Sequence, residues 1–94
     1  MKLPVGKRAT RWTEEIEIAA SDLIATVKKL LAEGNVRRLI IKNTEGQSLL
    51  EIPLTAGVVI GGTLVLLAPV LAALGALAAL LSKVKIEIVR EHGD

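Results

Sequence analysis

The chain has 94 residues, enough for one domain, with 12 basic against 10 acidic residues and a net charge of +2. That balance gives no electrostatic argument for specific nucleic-acid binding. There are no cysteines, one histidine (His92) and one aromatic residue (Trp12). Disulfides, thiolate or multi-histidine metal sites, a histidine charge-relay pair and base-stacking platforms are thereby excluded.

Residues 1–11 carry Lys2, Lys7, Arg8 and Arg11 beside Pro4 and Gly6 and are expected to be a mobile basic arm. Its plain role is solubility; its functional alternative is contact with anionic lipid or nucleic acid. No apolar run follows the basic residues as in a secretory signal, so a reduced cytoplasmic setting is expected. Trp12–Ile18 alternates at period two, with Trp12, Ile16 and Ile18 on one face and Glu15 and Glu17 on the other. Glu14 interrupts the apolar face, which suits an edge. Glu15 and Glu17 share a side, but no second reactive group accompanies them as acid–base chemistry would need.

Ser21 is an N-cap candidate, followed by Asp22 in the first turn. Leu23, Val27, Leu30 and Leu31 then form one helical stripe, and Gly34 ends it, predicting an amphipathic helix over 21–33. Residues 36–43 and 47–54 predict a hairpin around the turn Asn43-Thr44-Glu45-Gly46. Pro53 belongs at an edge or a strand end, because it has no N–H. Arg37 and Arg38, adjacent in a strand, are expected on opposite faces. Residues 83–91 carry the cleanest alternation, with Val84, Ile86 and Ile88 against Lys85 and Glu87.

Between these elements lies the stretch 56–82. From Gly57 to Leu81 it has no charge, and Thr63 is its one polar side chain. A continuous helix over those residues would be about 38 Å long, enough to span a bilayer. That placement strands residues 84–90 across the membrane from the rest of their sheet, without ladder partners. A soluble helical layer needs a break, which Pro69 and Gly61-Gly62 would provide as a kink or a reversal. A third reading sends the segment out to another subunit or into one leaflet. A helix apolar on every side cannot leave one face in water, and eight leucines between Leu64 and Leu81 exceed what a soluble monomer exposes.

Ala68, Ala72, Gly75 and Ala79 form a seam of small residues, and Gly57 and Gly61 repeat that spacing. Leu64, Leu67, Leu71, Leu74 and Leu81 supply larger knobs. These eleven residues are the candidate oligomer or membrane interface. Gly57-x-x-x-Gly61-Gly62 lacks the spacing and the following Lys of a phosphate-binding turn, and Thr55 suits a helix cap instead. The nucleophile-elbow, zinc-protease and calcium-loop motifs are missing.

The blocks WTEEIEI, GNVRRLIIKN, LLEIPLTAGVV and VKIEIVRE, with the intervening Ala-Pro-containing apolar segment, resemble a small prokaryotic family catalogued only as a domain of unknown function. The resemblance covers about Arg11 to Glu91 and implies no catalytic residue. The expectation is therefore an α+β domain over 12–91 with a short tail at 92–94. Its element order is β-α-β-β-α-β, that of the split βαβ unit. It should hold a four-stranded sheet, one amphipathic helix and a long, Pro-broken apolar helical segment. The expected function is a non-enzymatic, self-associating module without cofactor, metal or small-molecule substrate. The alternative is membrane association through 57–81, as a hairpin or a span, at the inner face.

Overall fold

The structure is a computed structural model that describes residues 10–92. Six strands and two short helices follow the chain. They are β1 (Thr10–Ala19), α1 (Leu23–Leu31), β2 (Val36–Lys42), β3 (Ser48–Pro53), β4 (Gly57–Ile60), β5 (Thr63–Leu66), α2 (Ala68–Leu80) and β6 (Lys83–His92). The first strand begins at Thr10, so Thr10 and Arg11 belong to the sheet; the basic-arm expectation for residues 1–9 lies outside the described residues.

The four long strands form one sheet in the order β1-β6-β2-β3, with every neighbouring pair antiparallel. The strands β1 and β2 therefore run the same way with β6 inserted between them, as in a split βαβ unit. The central position goes to the strand with the cleanest alternation. Val84, Ile86 and Ile88 of β6 are all buried and oppose Ile18, Ile16 and Glu14 on β1. On the other side Ile86 and Ile88 oppose Ile41 and Leu39 of β2. Leu23, Val27, Leu30 and Leu31, the stripe of α1, close over this face with Leu74 of α2, in a single cluster to which Ile52 of β3 contributes from the sheet. The opposite face carries Glu15, Glu17, Lys85, Glu87, Lys42 and Glu51. The result is flat, 44 × 37 × 17 Å, with a radius of gyration of 14.4 Å against about 12 Å for a rounder domain of this size.

Local chemistry explains the connections. Asn43 Oδ1 accepts from the N–H groups of Glu45 and Gln47, both at 2.9 Å, and Gly46 takes φ +91° in the turn from β2 to β3. Pro53 ends the edge strand β3. Gly34 turns the chain at φ +83° after α1. Ser21 does not cap α1. It sits in a one-turn 3₁₀ helix over Ala20–Asp22, and the first residue of α1 is Leu23.

The apolar stretch corrects the expected fold class. It is not a long, Pro-broken helix. Its first half is a second, two-stranded sheet, β4 paired with β5. Val58, Val59 and Ile60 are β-branched and suit a strand. Gly61 and Gly62 take φ +56° and +82°, the two positive values of a type I′ turn. Pro69 falls within the first turn of α2, where its missing N–H has no intrahelical partner to lose, so it starts the helix instead of breaking it. The helix that remains has 13 residues, about 20 Å, and none of the described helices is long and apolar enough to cross a membrane.

Candidate interaction surface

The stretch 56–82 is held to the domain by few residues. Leu74 is the one fully covered residue of α2, with Val70, Leu77 and Leu81 partly covered against the core. Leu66 on β5 is buried, and Leu64 packs beside it. The Ala20 N–H donates to the Ser82 carbonyl at 2.9 Å, which ties the far end of the stretch down, and within the stretch the Leu67 N–H donates to the Ala56 carbonyl at 3.0 Å.

Ala56 is also buried, and Gly57, Ala73, Gly75 and Ala78 are half-buried; the large aliphatic side chains that remain face water. Val58 is 42% exposed, Val59 70%, Ile60 63%, Val65 39%, Leu67 42%, Leu71 39% and Leu80 79%. The eleven residues singled out from the sequence divide accordingly. Leu67, Ala68, Leu71, Ala72 and Ala79 lie on the outer side of α2 and its approach. Gly75 is half-buried, yet a Cβ built there would meet nothing within 4 Å, so the small-residue seam opens outward. Gly61 is exposed in the turn, and Gly57 is half-buried beside Leu64. Leu64 and Leu81 turn partly into the core and Leu74 wholly, so charging Leu74 would attack the fold before any interface. The most exposed apolar residues, Val59, Ile60 and Leu80, were not among the eleven. The signal for the first two was two glycines between β-branched runs.

The charged groups serve the sheet. Arg90, whose side chain is 13% exposed, donates to Glu14 (2.9 Å), Glu33 (2.7 Å) and Asn35 (2.8 Å), tying β1 and the end of α1 to β6. The hydrogen bond from Arg90, then that from Trp12, holds the Glu14 carboxyl below its usual range. Glu14 thus occupies the apolar face at its margin, with a cation as partner. On the open face Lys42 pairs with Glu87 and with Glu15 at 3.5 Å, and the hydrogen bond to Glu87 raises its pKa.

A bulge corrects the expectation for the two adjacent arginines. The register of β2 against β6 shifts between Val36 and Arg38, so one residue of β2 is extra. Arg37 reaches Glu91 at 3.1 Å and Arg38 reaches Glu51 at 2.6 Å, and both carboxylates belong to the open face. The two arginines therefore share a face, and each has an acidic partner there.

No curated protein and no solved structure matches the chain. The profile of one family, described as a domain of unknown function (DUF4342), matches residues 9–90, from before β1 to within two residues of the end of β6. The chain belongs to that family of domains of unknown function.

Proposed function

We propose that this domain is a non-enzymatic, self-associating module, and that the exposed side of β4, β5 and α2 is where copies meet. The observation that carries the reading is the exposure of seven large aliphatic residues within one uncharged segment. Their fractional exposures amount to roughly four fully exposed side chains, or about 6–12 kcal/mol of unrealised burial. Association costs about 4–15 kcal/mol before any contact is gained, so the surface suffices for a moderate, concentration-dependent dimer. At about 25 cal/mol per Å² the same figure corresponds to roughly 240–480 Å² of apolar area. A standard interface buries about 450 Å² of apolar surface per partner.

A second copy fits this surface better than a bilayer crossing does. Each strand of the β4–β5 hairpin has four residues, about 13 Å, and α2 is about 20 Å, against about 30 Å of hydrocarbon. The test is size-exclusion chromatography in detergent-free buffer, on the wild type and on Leu71→Glu. The wild type should elute as an oligomer at high loading, and Leu71→Glu as a monomer with unchanged circular dichroism. A wild type that stays monomeric but floats with lipid vesicles would replace this reading with the membrane one.

A further inference from the structure

Resting on the proposed self-association, we infer that copies join through backbone pairing of β4 with β4 of a second copy, making a four-stranded sheet across the interface. The first ground is the hydrogen-bond phase of the hairpin. The register pairs Ile60 with Thr63, Val59 with Leu64, Val58 with Val65 and Gly57 with Leu66. Hydrogen-bonded and non-bonded pairs alternate in an antiparallel ladder. The Leu67 N–H bonds the Ala56 carbonyl, so the bonded pairs are Ala56–Leu67, Val58–Val65 and Ile60–Thr63. Val59 and Gly57 therefore turn their N–H and C=O groups away from β5. Among the described residues no strand lies on that side, because the second sheet consists of β4 and β5 alone.

The second ground is exposure. Val59 and Ile60 are consecutive strand residues, so their side chains point to opposite faces. They are 70% and 63% exposed, which leaves the far half of β4 open on both faces as well as along its edge. A lone two-stranded hairpin is marginal in water, and pairing to four strands removes that weakness.

The third ground is contrast with the two edges of the four-stranded sheet. Folded proteins guard open strands with charge, proline or bulges. The outer edge strand β1 carries Glu14, Glu15 and Glu17, and self-pairing there would set glutamates against glutamates. The edge strand β3 carries Glu51 and ends at Pro53. The strand β4 reads Gly-Val-Val-Ile and has no guard; β5 reads Thr-Leu-Val-Leu and has none either, but its outward-bonding residues Leu64 and Leu66 pack into the core, whereas Val59 of β4 is open. A second copy of β4 supplies a complementary occupant. Centred on Val58, an antiparallel pair sets Gly57 opposite Val59 of the other copy and Val58 opposite Val58. Four N–H···O=C bonds then form between the groups that point outward, and the glycine leaves room for the facing valine.

Val59→Pro tests this, because it deletes an outward N–H and leaves the bonds between β4 and β5 in place. Sedimentation velocity should show its dimer dissociation constant raised by about tenfold or more over the wild type. A wild type that dimerises and a Val59→Pro that dimerises equally well would overturn strand pairing while sparing the proposed function. A wild type that is monomeric at every concentration, or that associates only on lipid vesicles, would overturn both. Should Val59→Pro fail to fold, amide exchange of the wild type decides. The Val59 amide must gain protection as concentration rises, and unchanged exchange in the assembled protein would overturn the inference.

Discussion

Truncating Leu74 tests whether α2 belongs to its own domain. The residue is 0% exposed and is the one fully covered residue that α2 contributes. Leu→Ala in such a position removes the transfer energy of the side chain and leaves a cavity, at about 3–5 kcal/mol. A domain of this size holds about 5–14 kcal/mol in total, so the loss is a large fraction of it. With a urea slope near 1–1.5 kcal/mol/M, the midpoint should fall by roughly 2 M or more. Leu71→Ala, one turn away and 39% exposed, should cost a dilute sample under about 1 kcal/mol. Urea unfolding followed by far-ultraviolet circular dichroism, at a dilution where the protein is monomeric, reads both. If Leu74→Ala costs no more than Leu71→Ala, then α2 is not packed on the sheet. The helix would then be free for another use, and the placement of the exposed surface would fail with it.

Arg90→Met removes the donor shared by Glu14, Glu33 and Asn35 and should lower stability by about 1.5–3 kcal/mol in urea unfolding; an unchanged midpoint would show that the cluster is idle. The Glu14 carboxyl has a lowered pKa in the fold, so its contribution is present at neutral pH and is lost as pH falls through the carboxylate range. A pH series of thermal unfolding should show part of the acid destabilisation removed in Glu14→Gln. The Lys42 ammonium has a raised pKa, so its contribution is present below the ordinary lysine range and is lost as pH rises beyond it. Lys42→Met should accordingly flatten the alkaline limb of the same series. Gly62→Val places a branched side chain at φ +82° and should cost about 1–2 kcal/mol, whereas Gly61→Asn should be tolerated; equal melting temperatures for the two would contradict the type I′ turn.

The parts of the fold legible from sequence are those in which polar and apolar residues alternate at a definite period. The stripe Leu23, Val27, Leu30 and Leu31 specifies α1, and the pattern of residues 83–91 specifies β6. The turn at Asn43 and Gly46 joins β2 to β3. The stretch 57–81 offers no such signal, because with one polar side chain among its residues it has no period to read. Length then suggests a helix, with Pro69 as its break. Two local cues pointed elsewhere: Gly61-Gly62 between β-branched residues, and a proline suited to the first turn of a helix. The strand order was out of reach, since nothing local says that β6 enters between β1 and β2. The bulge at Arg37 is equally silent in sequence, and it alone brings Arg37 and Arg38 to one face. For the candidate surface, the outward seam of α2 was readable as spacing, whereas the exposed tip at Val59 and Ile60 required the hairpin to be seen.

The central claim is that a second copy covers the uncharged outer surface of β4, β5 and α2. Multi-angle light scattering of the wild-type protein over a dilution series, without detergent or lipid, addresses it most directly. The mass should climb from that of one 10.0 kDa chain toward at least twice that value as concentration rises. A constant single-chain mass throughout the series would contradict it.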